Sequence, residues 1–299
     1  MRRTLAYALI PVAPALWSAN YYVAAKAPGH VEPHALALLR WSLALALMLP
    51  FAWPALRRHG PFTRAEWMDG FLLGGLGMWI CGAFVYIGAY TTSAVNIGLM
   101  YAMSPALIAA ASALWLRESF GVRQRIGLLL ALGGMLWIVL RGNFSGLRSI
   151  IWVDGDLWIL SAVACWTLYS LLLRQRPSRL DPFARLTFIT GCGVIVLIPM
   201  TVLEAIASPA WHLTAYGLWL GLIAALLPGF GAYQAYSLMQ KELGAARTGV
   251  VLYLQPLYAG AMGWLLLGQS IGMHHAVGAA LILPGIYLCA APARQRTAS

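Results

Sequence analysis

Charged residues are scarce in this 299-residue chain, and two long stretches lack them altogether. Charged side chains make up 10% of the sequence and hydrophobic ones 61%. A soluble domain carries about 25% charged residues, so this chain has too few to cover a water-facing surface. No Asp, Glu, Lys or Arg occurs in 70–116 or in 248–293. Since a helix crosses the hydrocarbon core with about 20 apolar residues, each stretch can hold two spans. The composition excludes a soluble enzyme, a secreted disulfide scaffold and a disordered chain.

Acidic residues and histidines are missing from the apolar segments. All nine acidic residues and all six histidines fall in predicted loops or at predicted helix ends. A membrane proton relay needs an ionisable group at depth, and an intramembrane hydrolase needs paired carboxylates or a serine with a base. The P-loop pattern G-x-x-x-x-G-K-[ST] is also absent. We therefore expect no enzymatic activity, no ATP hydrolysis and no cofactor, and predict passive transport rather than pumping.

Cysteines are few and do not form a metal-binding pattern. The four are Cys81, Cys165, Cys192 and Cys289, each inside an apolar segment and without C-x-x-C spacing. Such cysteines are typical of small packing residues, so no disulfide framework and no metal site is expected. The formal net charge is +11, but the basic residues do not form one continuous stripe, so nucleic acid is not an expected partner.

Apolar runs separated by charged or Gly/Pro-rich breaks predict an all-α integral membrane protein with ten transmembrane helices. The predicted helices cover residues 5–26, 34–56, 69–90, 93–116, 122–141, 156–174, 183–204, 213–236, 244–267 and 271–292. Ten helices of this length leave only short loops and no separate soluble domain.

The basic residues predict the orientation of these helices. With the amino terminus on the inside, sixteen Lys and Arg residues fall on the inner side, and only Lys26, Arg141 and Arg148 on the outer side. This positive-inside bias predicts a multi-pass protein of the plasma membrane, the inner membrane in a bacterium, with both termini in the cytoplasm.

The second half of the chain repeats the first. A shift of 151 residues aligns 94–134 with 245–285 without a gap, and 12 of the 41 pairs are identical. Pro105 pairs with Pro256, and several glycines repeat in register. Trp17-Ser18 and Trp166-Thr167 show a weaker similarity between the two halves.

This repeat predicts two inverted-topology five-helix units. Five is an odd number, so equivalent helices run in opposite directions through the membrane. The predicted units are 5–141 and 156–292, joined by an outer loop at 142–155. Transporters use such repeats to form a midplane site and expose it alternately to each side. Duplication without transport, as in a channel or a membrane enzyme, is the alternative.

Aromatic and amide side chains occur unusually deep in the predicted spans. Tryptophan and tyrosine normally lie at the membrane interfaces, and a deep indole N–H needs a partner in the protein or in cavity water. Paired prolines leave backbone carbonyls unbonded, which points to a binding site between the repeats. The predicted substrate-binding residues are Trp17, Asn20, Tyr21, Trp79, Tyr86, Tyr101, Trp166, Tyr169, Tyr253 and Gln255, with helix kinks at Pro105 and Pro256. Helix–helix packing is the competing explanation for each of them.

Arg40 is the one charged residue predicted well inside a span, away from either helix end. It follows the outer end of the second helix by about six residues, which is roughly 9 Å of helix rise. A long arginine side chain at this depth reaches the interface, so we expect Arg40 to extend there rather than into a binding site.

The pattern resembles the drug/metabolite transporter superfamily, in particular its ten-helix exporters with two EamA-type repeats. The resemblance rests on 94–98 through Pro105 to Leu116-Arg117-Glu118, and on 244–247 through Pro256 to Leu267-Gly268-Gln269. It covers about residues 5–291. Gln269 stands where family members commonly have glutamate, which removes that carboxylate from the second copy.

The resemblance implies an exporter of small metabolites with a central cavity lined by helices 1, 3, 4, 6, 8 and 9. Among its branches the chain is most similar to the aromatic amino acid exporters. A cavity rich in Trp and Tyr suits a flat hydrophobic side chain, so the expected substrate is an amino acid moved by alternating access. A drug-like amphiphile, a nucleotide-sugar or a phosphorylated metabolite is the alternative; an anionic one would need a buried cation, which only Arg40 offers. The sequence leaves monomer and homodimer both open.

Overall fold

A computed structural model describes residues 2–92, 94–117, 121–145, 152–208, 212–267 and 272–290. Within these ranges the secondary structure is helical, apart from turns and one isolated antiparallel bridge between Val31 and Leu213. The predicted all-α fold is confirmed. Glu118, Arg148 and Gln269 lie outside the described residues, as does part of the connecting loop predicted at 142–155.

The described residues form ten helical units, which we number α1 to α10. Three of them contain a change of helix type, and α1 is divided by a turn. Their bounds are α1, Arg2–Ala8 and Val12–Lys26; α2, Pro33–His59; α3, Arg64–Gly74 and Cys81–Gly88 joined by π-helical Gly75–Ile80; α4, Ala94–Trp115; α5, Val122–Val139; α6, Asp154–Gln175; α7, Pro182–Ala207; α8, Ala215–Ala224 and Tyr233–Leu243 joined by π-helical Ala225–Ala232; α9, Ala245–Val250 and Gln255–Leu267 joined by 3₁₀-helical Val251–Leu254; and α10, Met273–Ala290.

Seven helices of the described chain are long and apolar enough to cross a membrane, and they correspond to α2 through α8. The other three units are interrupted or short. A turn before Val12 interrupts α1, a 3₁₀ segment interrupts α9, and α10 is short. The lipid-facing surface is apolar, with Leu114 84% exposed and Ile206 78% exposed. Exposed leucine and isoleucine at this density are typical of a hydrocarbon-facing surface.

Two predicted helix ends are wrong. Helix α3 begins at Arg64 rather than at residue 69, because Thr63 and Glu66 form a capping box that satisfies the first backbone amides. Helix α8 continues to Leu243 rather than ending at 236. It turns directly into α9 at Gly244, whose φ of 88° is accessible to glycine without a steric penalty.

The loops lie on two opposite faces of the bundle, as the contacts between them show. The distal face carries the α1–α2 and α7–α8 connections, where Glu204 accepts hydrogen bonds from the backbone of His34 and Ala35. The opposite face, here called the terminal face, carries the start of α3, where Asp69 pairs with Arg176 from the α6–α7 loop. This alternation agrees with ten crossings and places Arg2 and Ala290 on the terminal face.

The packing of α5 against α10 shows the inverted symmetry of the two repeats. Gly127 and Gly278 are equivalent under the 151-residue shift, as are Gly134 and Gly285. A Cβ on Gly127 would lie 2.5 Å from the carbonyl oxygen of Gly285, and one on Gly285 would lie 2.6 Å from that of Gly127. The Gly134–Gly278 pair repeats this, at 2.7 and 2.9 Å. Such reciprocal contacts are those of a two-fold interface, so the predicted inverted repeat is confirmed.

The π-helical segments repeat in the same way. Shifting Gly75–Ile80 by 151 residues places it inside Ala225–Ala232. The helices that contain them also begin with equivalent caps, Thr63 and Thr214. A π-turn takes in an extra residue and so rotates every later side chain about the helix axis. In both repeats, the side chains in the second half of the third helix therefore point in a different direction from those of an uninterrupted α-helix.

Candidate functional site

A cavity lies between the two repeats, in the half of the bundle nearer the distal face. Both repeats line it, and apolar and aromatic side chains predominate. The lining residues are Trp17, Asn20, Tyr21, Ala24, Arg40, Cys81, Val85, Ala89, Ile97, Tyr101, Ser104, Met135, Trp166, Tyr233, Leu252 and Gln255. Ala24 and Ala89 stand near the distal ends of α1 and α3, whereas Trp17, Trp166 and Tyr233 lie near the middle of their spans.

An aromatic cluster forms the floor of this cavity. Trp17 meets Trp166 edge to face, with ring centroids 5.5 Å apart and planes at 88°. Trp17 also contacts Tyr233 at 5.4 Å and Tyr236 at 5.2 Å. Edge-to-face contacts of this kind each add about 0.5–1.5 kcal/mol beyond the buried area. We call these four residues the aromatic floor. The tryptophans that echo each other in the sequence therefore meet between the repeats.

One wall of the cavity carries a polar group of three residues. The Tyr86 hydroxyl donates a 2.7 Å hydrogen bond to Asn20 Oδ1. Arg40 Nη1 donates to the same oxygen and to the Tyr86 hydroxyl, both at 3.4 Å. The guanidinium carbon lies 4.7 Å from the Trp41 ring centroid and 5.9 Å from that of Tyr233. Helices α1, α2 and α3 thus hold one cationic side chain against the cavity.

The prediction that Arg40 extends to the membrane interface is wrong. Its side chain is 3% exposed and lines the cavity. The reason is that α2 directs this position toward α1 and α3, whose Asn20 and Tyr86 supply neutral hydrogen-bond acceptors, and Trp41 and Tyr233 supply aromatic faces for the cation. Within the described residues, no carboxylate forms an ion pair with Arg40. The cavity therefore carries an uncompensated positive charge.

Another part of the lining lies on α1, α4 and α9, next to the two repeated prolines. Tyr21 on α1 donates a 3.2 Å hydrogen bond to Gln255 Oε1 on α9. Pro105 has no N–H to donate to the carbonyl of Tyr101, and Pro256 has none for Leu252. Both of those residues line the cavity. Each repeated proline therefore removes one i→i−4 hydrogen bond at an equivalent place beside the cavity, and the Leu252 carbonyl instead accepts from the Gln255 N–H in the 3₁₀ segment.

Six of the ten predicted binding residues line the cavity: Trp17, Asn20, Tyr21, Tyr101, Trp166 and Gln255. Tyr86 stands behind the wall and orients Asn20 and Arg40. Tyr169 is buried and stacks on Trp166 at 5.4 Å. Tyr253 is also buried, and its hydroxyl donates to the carbonyl of Ala102 at 3.0 Å. Trp79 does not line the cavity and packs edge to face with Phe84, because it lies within the π-helical turn that redirects α3. That the six bind substrate stays a prediction.

Sequence reasoning did not select Arg40, Tyr233, Cys81 or Ser104 as binding residues, although all four line the cavity. For Arg40 a signal was present, since it is the only charged residue well inside a predicted span. Cys81 and Tyr233 directly follow the two π-helical segments, which set the direction of their side chains. The Tyr233 hydroxyl donates at 3.1 Å to the carbonyl of Gly77 in the π segment of the other repeat.

The groups that line the cavity can recognise a solute by stacking, hydrogen bonding and charge. Its lining has one cation, neutral hydroxyl and amide groups and aromatic faces, and no Asp, Glu or His among the described residues. The described part of the chain also contains no cluster of three or more His, Cys, Asp or Glu side chains that could hold a metal ion. A flat apolar group could stack on the aromatic floor while a polar group meets Arg40, Asn20 and Gln255.

Comparison with known proteins agrees with this architecture. The sequence pattern of the EamA-like transporter family matches residues 4–140 and 153–291, once in each repeat. The crystal structure of another protein aligns over 94% of each chain with a TM-score of 0.73 and 19% sequence identity. At that identity the likeness concerns the fold.

Two curated relatives are similar in sequence. The uncharacterized transporter YyaM of Bacillus subtilis is 25% identical over 270 residues, which cover 90% of this chain and 88% of YyaM. The S-adenosylmethionine/S-adenosylhomocysteine transporter of Chlamydia trachomatis is 26% identical over 216 residues, which cover 69% of this chain and 66% of that protein.

Proposed function

This chain belongs to the EamA-like transporter family, and from that premise we propose that it exports amino acids with aromatic or hydrophobic side chains. It is a multi-pass membrane transporter. The proposal concerns the solute that it moves, the direction of transport and the coupling of transport to other gradients. One observation carries the proposal: the cavity between the inverted repeats combines an aromatic floor with Arg40, Asn20 and Gln255. An amino acid needs both an apolar surface for its side chain and polar groups for its charged end.

Alternating access supplies the transport mechanism in this proposal. The aromatic floor closes the cavity toward the terminal face, where Tyr169 continues the packing below Trp166. If the terminal face is cytoplasmic, as the positive-inside bias predicts, the cavity faces the outside of the cell. The two repeats are related by inversion, so exchanging their conformations would open the floor and close the distal face. We place the protein in the plasma membrane, which in a bacterium is the inner membrane.

The proposed transport is passive. A proton-coupled carrier keeps a titratable carboxylate or histidine at depth, and none lines the cavity among the described residues. Arg40 does not replace such a group, because a guanidinium does not deprotonate in proteins. Solute would therefore move down its own gradient.

The relative from Chlamydia trachomatis favours one further solute class. Its name gives S-adenosylmethionine and S-adenosylhomocysteine as substrates, and each combines an amino-acid end with a flat aromatic base. Those are the features that the cavity provides for. We therefore include nucleoside-bearing amino acids as the second candidate.

Flux into liposomes tests the proposal. We expect purified protein in proteoliposomes to exchange labelled phenylalanine or tryptophan for the same internal amino acid at a rate at least tenfold above empty liposomes. The rate should be unchanged when a pH gradient is collapsed, because no proton moves with the solute. Parallel assays with S-adenosylhomocysteine and with a nucleotide-sugar compare the alternatives.

Exchange of the nucleotide-sugar alone would overturn the amino-acid proposal, and a pH-driven uptake would overturn passive transport. Preference for S-adenosylhomocysteine over phenylalanine would support the second candidate.

A further inference from the structure

We propose that Arg40 binds the carboxylate of the transported solute, so that the protein selects molecules carrying that group. This inference rests on the proposed function and adds a specificity-determining residue to it. The observations that carry it are the burial of Arg40, its unused donors and the absence of a compensating charge in its surroundings.

The guanidinium has more donors than the protein uses. Arginine presents five N–H groups in a planar fork. Its hydrogen bonds to the described residues both come from Nη1 and are long, at 3.4 Å to Asn20 and to Tyr86. Arg40 Nε is fully buried and has no hydrogen-bond partner. Nη2 forms no hydrogen bond to the described residues and is not enclosed as Nε is, so it is the donor that a solute carboxylate reaches from the cavity.

The positive charge of Arg40 also lacks a partner of opposite charge among the described residues. The side chain is 97% buried, as its 3% exposure implies, and no described carboxylate pairs with it. A buried charge without a partner is strongly unfavourable and is retained where it serves a function. The aromatic faces of Trp41 and Tyr233 offset part of this, but they supply no anion. A bound carboxylate would complete the site.

The surroundings also define which anion fits. Arg40 is the one cation among the described lining residues, so the cavity offers a single positive charge. One guanidinium can neutralise one carboxylate, whereas a phosphate dianion would keep an uncompensated charge. The Tyr86 hydroxyl and Asn20 Oδ1 hold Nη1, which fixes the plane of the fork before the solute arrives. Trp17 lies one helical turn before Asn20, so the aromatic floor is close to this end.

Matched solutes and variants test the inference. The assay measures exchange of labelled phenylalanine and of its decarboxylated analogue, phenethylamine, by wild-type protein and by the Arg40→Gln and Arg40→Lys variants in proteoliposomes. Wild-type protein should favour phenylalanine at least tenfold. Arg40→Gln should lower phenylalanine exchange at least tenfold and leave phenethylamine exchange within twofold or raise it. Arg40→Lys should recover only part of the preference, because an ammonium keeps the charge and loses the fork.

The matched control is Arg57→Gln. Arg57 lies on the same helix with its guanidinium carbon also 4.7 Å from a tryptophan ring, that of Trp53, but it is exposed at the terminal face. This variant should keep the wild-type preference. A merely structural arginine would instead lower the exchange of both solutes together in Arg40→Gln, along with the midpoint of thermal unfolding.

The outcomes separate this inference from the proposed function. If wild-type protein exchanges neither compound, the amino-acid proposal fails. If it exchanges phenylalanine but Arg40→Gln leaves the ratio between the two compounds unchanged, Arg40 does not bind the carboxylate while the proposed function stands.

Discussion

Replacing Gly134 with valine is expected to lower the stability of the protein sharply, while the same change at the adjacent Gly133 leaves it almost unaltered. A Cβ at Gly134 would lie 2.7 Å from the carbonyl oxygen of Gly278, and backbone cannot move aside as a flexible side chain can. Overpacking of this kind costs about 1–3 kcal/mol, and we expect the upper end of that range. The measurement is the midpoint of thermal unfolding in detergent.

Gly133 is the matched control because a Cβ there meets no heavy atom within 4 Å. Both substitutions replace a glycine of α5 with valine and change the helix propensity equally, so their difference isolates the α5–α10 contact. Gly278→Val should behave like Gly134→Val, since the inverted repeat makes their contacts reciprocal. Equal stability of the Gly133→Val and Gly134→Val proteins would contradict the packing described for the two repeats.

Replacing Trp17 with alanine is expected to reduce transport at least tenfold and to destabilise the protein by about 3 kcal/mol or more. Trp17 is 9% exposed and makes edge-to-face contacts with the other three residues of the aromatic floor. Its removal leaves a void between the repeats and takes away the surface on which a solute would stack. Solute exchange in proteoliposomes and thermal unfolding measure the two effects.

Two further variants keep this prediction specific. Trp17→Phe retains an aromatic face and should keep much of the exchange and most of the stability. Trp53→Ala removes a tryptophan that is 46% exposed, and both measurements should stay at the wild-type level. Wild-type exchange by the Trp17→Ala protein would show that the aromatic floor has no part in transport.

The repeat is the part of the fold that the sequence reveals most directly. Pro105 with Pro256, and Gly127 with Gly278, keep one spacing because of the backbone: each proline removes a helical N–H donor, and the glycines let α5 and α10 touch. Few other residues fit such positions, so the repeat can be recognised from them although the rest of each apolar helix differs between the two copies. The end of α8 was not predicted because the charged pair Lys241-Glu242 is typical of a loop, whereas the helix continues through it to Leu243 and the chain turns at Gly244.

The site was only partly predictable because depth can be read from a sequence and direction cannot. Residue numbers locate Trp17, Asn20 and Gln255 at mid-span, but a membrane helix that is apolar all round gives little sign of which side faces a cavity. The π-helical turns of α3 and α8 add a rotation that has no clear sequence signature, and this separates Trp79 from Cys81 although they are two residues apart. Arg40 was misplaced because its partners, Asn20 and Tyr86, come from other helices.

The most direct test of the cavity as the solute pathway uses two neighbouring cysteine substitutions, Ala89→Cys and Tyr90→Cys, in protein whose Cys81 and Cys165 are changed to serine. Ala89 lines the cavity, whereas Tyr90 is 46% exposed on the same face and does not line it. A charged, membrane-impermeant thiol reagent is added to the outside of intact cells before transport is measured. We predict that modification of Ala89→Cys stops transport and that excess solute prevents the modification, while Tyr90→Cys reacts without loss of transport. Complete modification of Ala89→Cys with transport unchanged would contradict the account.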